Sequence, residues 1–135
     1  MIDQRTAPYA ALLLRVTTGA LFLIHGLTKL LVFTPAGTAG FFQSLGLPGW
    51  LGIATMVLEI AGGLALILGV ASRFVSALFV PVLLGAAWAA HLGNGFGWAN
   101  PKGGWEYPVM WALVQAALVL LGDGALALWR PGRKS

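Results

Sequence analysis

The stretch GWLGIATMVLEIAGGLALILGV, residues 49–70, indicates the fold. It is long enough to cross a bilayer as a helix, because a span needs about 20 mainly apolar residues. Its second half is apolar on every side, whereas the strands of a membrane barrel alternate apolar and polar residues. The stretch therefore predicts a transmembrane helix, with Glu59 as its one charged residue.

Three further apolar stretches fill most of the remaining chain. Together the four predict helices at about residues 9–33, 49–70, 74–92 and 107–129. The longer connections are Gly-rich loops at about residues 34–48 and 93–106. Three hairpin connections favour an up-and-down arrangement. We predict an all-α, integral membrane four-helix bundle that occupies residues 1–135 as a single domain.

The composition agrees with a bilayer environment. Of the 135 residues, 59% are hydrophobic and 9% are charged, and the mean hydropathy is +0.86; a soluble protein has about 25% charged residues. A soluble domain and a disordered chain are therefore excluded. Cysteine is absent, so the chain has no thiol redox centre. The net charge of +4 comes from scattered residues rather than a basic stripe, and nucleic acid is not an expected partner.

The basic residues near the helix ends predict an orientation. One side holds both termini, the short middle loop and most of the positive charge. Its basic residues are Arg5, Arg73, Arg130, Arg133 and Lys134. The other side has Lys102 alone. The positive-inside rule therefore predicts cytoplasmic N- and C-termini and two outer loops.

Two opposite charges are predicted near the inner ends of the first and last helices. A rise of about 1.5 Å per residue places Arg15 about 9 Å from the cytoplasmic end, and Asp123 at a similar depth. Buried opposite charges stabilise each other. We predict that Arg15 and Asp123 form a structural ion pair between these helices.

A second polar set lies toward the outer side. His25 and Lys29 are one helical turn apart and share a face, and Glu59 falls near the membrane midplane. His91 and Glu106 lie at the rim. Intramembrane ionisable residues are functional candidates, so we predict that the set lines a polar funnel. A structural interpretation stays open, in which Glu59 and Lys29 neutralise each other and Glu106 favours the positive end of its helix.

The stretches that carry these residues resemble the DoxX family over almost the whole chain. They are LFLIHGLTKL at 21–30, LGLPGW at 45–50, LEIAGGLALILGVASR at 58–73, AAHLGNGFG at 89–97 and GGWEYP at 103–108. The last motif adds Tyr107 to the candidate ligand-binding residues. The resemblance implies a small, multi-pass protein of the bacterial cytoplasmic membrane. It also implies a relation to subunits of a thiosulfate:quinone oxidoreductase and partners in oxidative-stress defence.

Because the chain has no cysteine, a redox role requires a bound carrier, and a quinone suits the polar funnel best. His25 or Lys29 could donate a hydrogen bond to a quinone carbonyl, while Glu59 or His91 moves the accompanying proton. A haem held by His25 and His91 is disfavoured because their inferred depths differ by about 10 Å. The same difference disfavours a metal held by these histidines and Glu59.

Other functions stay open at this point. The chain could be a non-catalytic membrane anchor or assembly subunit, whose basic tail with Arg130, Arg133 and Lys134 docks a soluble redox partner. A small-solute transporter is a third interpretation. It would require a homo-oligomer, for which small residues near Ala61 and Ala86 could supply contacts.

Overall fold

The computed structural model describes residues 1–132, and these residues form five α-helices. The helices are α1 (Ala7–Leu31), α2 (Thr34–Ser44), α3 (Gly49–Leu68), α4 (Ser72–Ala86) and α5 (Glu106–Leu121). A π-helical turn, Ala87–His91, and a 3-10 turn, Leu92–Asn94, continue α4. Within residues 1–132 there is no strand beyond an isolated bridge between Val70 and Trp129. The all-helical prediction is confirmed.

Three segments are long and apolar enough to cross a membrane: α1, α3 and Ser72–Asn94. Their outward side chains include many large exposed hydrophobic residues, such as Leu13, Ile24, Leu64 and Leu78. Lipid can cover such a surface, whereas exposure of this much apolar area to water is unfavourable. Helix α5 is shorter, at 16 residues, which corresponds to about 24 Å of helix.

Helices α1 and α3 pack closely because glycines face each other. A Cβ on Gly63 would lie 2.7 Å from the backbone oxygen of Gly19, and one on Gly26 would lie 2.9 Å from the backbone nitrogen of Ile60. The core beside this contact contains Phe22, Leu66, Phe79, Leu83 and Ala112. The rings of Phe22 and Phe79 stack with centroids 3.6 Å apart. This packing holds α1, α3, α4 and α5 together.

The segment predicted as an outer loop at 34–48 contains helix α2. Pro35 lies in its first turn, where the missing N–H requires no partner. The helix packs on α3: a Cβ on Gly52 would meet the ring of Phe42 at 2.9 Å. Thr38 is buried and donates a hydrogen bond to the Lys29 carbonyl at 3.2 Å. The loop prediction is therefore wrong here, because contacts with α1 and α3 stabilise a short helix that has little amphipathic pattern of its own.

The fourth helix was predicted to end near residue 129, but α5 ends at Leu121. Gly122 and Gly124 have φ of 92° and 77°, and these left-handed conformations end the helix. The following segment crosses the ends of other helices. Ala125 N–H donates to the Pro8 carbonyl at 2.9 Å, and Trp129 N–H donates to the Gly69 carbonyl at 3.1 Å. We call this side, where residues 1–8, 69–71 and 122–132 meet, the terminal end, and the opposite side the loop end.

Arg15 lies buried near the terminal end, with 1% of its surface exposed. Its guanidinium donates to the carbonyls of Leu66 at 2.9 Å, Ile67 at 3.2 Å and Ala125 at 2.8 Å. Leu66 and Ile67 belong to the last turn of α3, whose carbonyls lack helical partners. Arg15 therefore joins α1 to the end of α3 and to the segment after α5.

The predicted ion pair between Arg15 and Asp123 is not formed at contact distance. No nitrogen of Arg15 lies within 4.0 Å of an Asp123 carboxylate oxygen in the part of the chain that the structure describes. The physical reason is the early end of α5. Asp123 follows Gly122 in a turn instead of lying on the inner face of a helix, and carbonyl groups take the guanidinium hydrogen bonds that the carboxylate was predicted to accept.

Candidate functional site

A cavity of about 510 Å³ lies at the loop end, between helices α1 to α5. Apolar side chains form most of its wall. They come from α2 and α3 on one side and from α4, its π-helical extension and α5 on the other; they include Phe41, Phe42, Leu51, Pro81, Trp88 and Trp111. The polar lining residues are His25, Lys29, Thr55, Glu59, His91 and Tyr107. Mostly apolar walls with a few polar groups are typical of small-molecule sites.

Lys29 and Glu59 connect α1 to α3 beside this cavity. The Lys29 Nζ donates to Glu59 Oε2 at 2.7 Å, and the two side chains are 20% and 10% exposed. Within residues 1–132 this is the one salt bridge. Partial burial makes the partners dependent on each other, because loss of one leaves an uncompensated charge in an apolar environment.

His25 presents one free ring nitrogen. Its Nδ1 lies 2.8 Å from the Leu21 carbonyl oxygen, which can only accept, so Nδ1 carries the proton of this hydrogen bond. The imidazole packs edge-on against Trp111, with ring centroids 5.1 Å apart. Its Nε2 has no hydrogen-bond partner among the described residues. A neutral His25 therefore has an acceptor nitrogen, and a protonated one has a donor, for a ligand in the cavity.

His91 and Tyr107 form a hydrogen-bonded pair on the opposite wall. The Nδ1 of His91 lies 3.0 Å from the Gly103 carbonyl, so it is the donor, and the Tyr107 hydroxyl donates to Nε2 at 2.9 Å. The π-helical turn Ala87–His91 ends at this histidine. Such turns re-aim side chains and are frequent at functional sites. The pair fixes the phenol and the imidazole relative to each other at the edge of the cavity.

Five of the six predicted ligand-binding residues line this one cavity: His25, Lys29, Glu59, His91 and Tyr107. Glu106 does not. It begins α5, where its carboxylate is favourable beside the helix N-terminus, and its N–H donates to the Phe96 carbonyl at 3.1 Å. Arg15 and Asp123 lie at the terminal end. The predicted basic tail extends beyond the described residues at Arg133 and Lys134.

Sequence reasoning missed two groups of residues that line the loop-end cavity. Trp111 follows Tyr107 by four residues, so helical spacing could have placed both on one face. Phe41 and Phe42 lie in the segment that was predicted as an outer loop, and no periodic pattern there indicates that they line a cavity. They line the cavity because helix α2 forms and packs on α3. Across residues 1–132 no cluster of three or more His, Asp or Glu side chains could hold a metal ion.

The fold and the cavity define a small helical membrane protein with an apolar cavity that has a few polar groups. The chain belongs to the DoxX family, whose model matches residues 10–92 and so includes His25, Lys29, Glu59 and His91. It is also similar to a protein of Bacillus subtilis (strain 168) named "Putative oxidoreductase CatD", at 37% identity over 117 residues, which are 87% of this chain and 82% of that protein. No solved structure matches the chain significantly.

Proposed function

We propose that this protein is a quinone-linked redox subunit of the bacterial cytoplasmic membrane and binds the quinone ring in the loop-end cavity. The observation that carries the proposal is the meeting of two histidines, a tyrosine and a lysine–glutamate pair in a mostly apolar cavity. The name of the Bacillus relative supports a redox role. Aromatic side chains such as Trp111 favour a flat, conjugated ligand.

The polar groups have distinct tasks in this proposal. Lys29, or a protonated His25, donates a hydrogen bond to one quinone oxygen. The Tyr107 hydroxyl, which donates to His91 without a ligand, turns toward the other oxygen when the quinone is bound and is its proton donor. A protonated His91 then donates to the phenol oxygen. Reduction of the quinone to the hydroquinone consumes two electrons, which a reduced partner protein supplies, and two protons. Lys29 or the protonated His25 delivers one proton to the first oxygen, and Tyr107 delivers the other to the second oxygen. Loss of the Tyr107 proton is followed by return of a proton through His91.

The proposed orientation places the termini in the cytoplasm and the cavity toward the outer face. Arg5, Arg73 and Arg130 at the terminal end, against Lys102 at the loop end, support it. The natural absence of cysteine allows a clean test with Gln4→Cys and Lys102→Cys in bacterial spheroplasts. An impermeant maleimide should label only the Lys102→Cys protein before lysis. Labelling of only the Gln4→Cys protein would show that the orientation is opposite to the proposed one.

Binding of a short-chain ubiquinone to protein in lipid nanodiscs tests the function. Wild-type protein should show saturable quenching of tryptophan fluorescence, and His25→Ala and Glu59→Gln should weaken it about tenfold or more, as expected for loss of a hydrogen bond to a charged or polar partner. Glu106→Gln is the matched control, because Glu106 lies outside the cavity. Equal, unsaturable quenching in all four proteins would reject the proposal.

One observation favours a second function, that of a membrane anchor or assembly subunit. Lys29 and Glu59 satisfy each other without a ligand, so their presence is explained by packing alone. An anchor would tolerate His25→Ala and Tyr107→Phe with no loss of partner recruitment. Co-purification of the redox partner with these variants, in the absence of quinone binding, would favour this function.

A further inference from the structure

A second cavity, of about 690 Å³, lies at the terminal end, far from the loop-end cavity. Its wall combines two arginines and a carboxylate with apolar side chains. The residues that matter here are Arg73, Phe74, Leu121, Asp123 and Arg130. None of them belongs to the site proposed for the quinone, so the terminal cavity is a separate feature of the molecule.

Within residues 1–132, the two arginines keep most of their donors available. Arg73 lies against Gly122, where a Cβ would be 2.9 Å from its Nη2. Arg130 donates through Nη2 to the Gly124 carbonyl at 2.9 Å, which anchors the guanidinium by one edge. A guanidinium has five N–H donors in a planar fork, and phosphate oxygens match that geometry. Together these side chains suit an anion that carries several oxygens.

Asp123 adds a second group that can recognise a ligand in this cavity. Asp123 lines the cavity and is half-buried, and its carboxylate accepts no hydrogen bond from residues 1–132. The nearby Arg15 donates to carbonyl groups. A partly buried carboxylate without a donor is unfavourable, and an ammonium group in the cavity would satisfy its accessible oxygen. The cavity therefore suits a ligand with a phosphate at one end and an ammonium at the other.

The position of the cavity indicates the source of such a ligand. Phe74, in the first turn of α4, is 64% exposed, and Leu121, the last residue of α5, is 39% exposed. These two apolar side chains lie beside the charged groups, at the start of the candidate membrane span Ser72–Asn94 and at the end of α5. Acyl chains can extend along them while a headgroup enters the cavity.

We propose that the terminal cavity binds the headgroup of a phosphatidylethanolamine lipid. Arg73 and Arg130 hold the phosphate, Asp123 accepts hydrogen bonds from the ammonium, and the acyl chains lie along Phe74 and Leu121. Phosphatidylcholine is a matched negative ligand, because its quaternary nitrogen has no N–H to donate. Phosphatidylglycerol keeps the phosphate but lacks the ammonium.

Native mass spectrometry of protein transferred from nanodiscs tests this site. The nanodiscs contain equal amounts of phosphatidylethanolamine, phosphatidylcholine and phosphatidylglycerol with identical acyl chains. Wild-type protein should retain phosphatidylethanolamine about tenfold over phosphatidylcholine, the factor expected from charge-assisted hydrogen bonds. Equal retention of the three lipids, or a preference for phosphatidylglycerol, would overturn the proposal.

Variants assign the recognition to individual groups. Asp123→Asn should abolish the preference for phosphatidylethanolamine over phosphatidylcholine while phospholipid is still retained. The double variant Arg73→Gln/Arg130→Gln should lose retention of all three lipids. Arg5→Gln is the control, a basic residue of the same end that does not line the cavity. An unchanged preference in Asp123→Asn would overturn the role of the carboxylate and with it the proposal.

Two further measurements separate a lipid from a soluble ligand and from misfolding. Phosphoethanolamine at millimolar concentration should displace the lipid weakly, because it lacks acyl chains; displacement at micromolar concentration would identify a soluble zwitterion as the ligand and overturn the lipid proposal. Quinone binding should be unchanged in all variants, since the cavities lie at opposite ends. That result shows that the variants are folded.

Discussion

The two ends of the molecule satisfy their buried charges in different ways. At the terminal end, Arg15 is held by three backbone carbonyls, which can only accept. At the loop end, Lys29 is held by the Glu59 side chain, and His25 keeps a ring nitrogen free beside a cavity. The carbonyl contacts of Arg15 are structural, whereas Lys29 and His25 lie along a cavity and can exchange partners with a ligand.

The largest expected effect is loss of Arg15. Arg15→Met keeps much of the side-chain volume but removes the donors to the three carbonyls and should destabilise the protein by about 3–5 kcal/mol. Thermal unfolding in detergent, followed by tryptophan fluorescence, measures the change, and Arg5→Met is the control on an exposed residue.

The Arg15→Met variant also tests whether Arg15 acts through the carbonyl contacts or through a direct ion pair with Asp123. If Arg15 acts through the carbonyls, the double variant Arg15→Met/Asp123→Asn should be as unstable as Arg15→Met. Rescue of stability by the second substitution would show that neutralisation of Asp123 is the main role of Arg15, and the contrast between the two ends would then fail.

The next effect concerns the loop end. Lys29→Met leaves Glu59 without its partner and should cost about 2 kcal/mol, less than for a fully buried pair because both side chains retain some exposure. Lys29→Met/Glu59→Gln should recover most of the stability but should not bind quinone. A double variant that is as unstable as the single one would show that the pair is coupled to other groups.

A smaller effect tests the helix contact on which both ends depend. Gly63→Ala places a Cβ 2.7 Å from the Gly19 carbonyl oxygen and should destabilise the protein by about 1–3 kcal/mol through overpacking. Gly40→Ala on helix α2 is the control, because no atom lies within 4 Å of its Cβ position. An unchanged unfolding free energy in Gly63→Ala would show that α1 and α3 can move apart without loss of stability.

The smallest effect on stability is expected for Tyr107→Phe. The exchange removes one hydroxyl at an exposed position and should change the unfolding free energy by about 1 kcal/mol or less. The ¹⁵N resonance of His91 Nε2 should shift toward that of an imidazole nitrogen without a donor, and quinone-dependent turnover should fall. An unchanged resonance would show that the phenol and imidazole do not interact.

The sequence predicted four of the five helices, the membrane environment and most of the polar residues at the loop end. Long apolar runs determine spanning segments because the backbone must satisfy its own hydrogen bonds in lipid. His25 and Lys29 follow from helical spacing, and Glu59 from the cost of a charge in an apolar segment. These properties are local, and one stretch of chain is sufficient to predict them.

The partners of these residues depended on the tertiary structure. Helix α2 forms on α3, α5 ends at Gly122, and Arg15 selects carbonyls rather than Asp123. The choice of partner for Arg15 results from contacts between segments distant in the sequence, such as residues 15 and 125, which no local pattern reports. The sequence alone determined which residues are costly to bury. Only the packing of the helices decided what satisfies them, because a hydrogen bond needs two groups brought together in space.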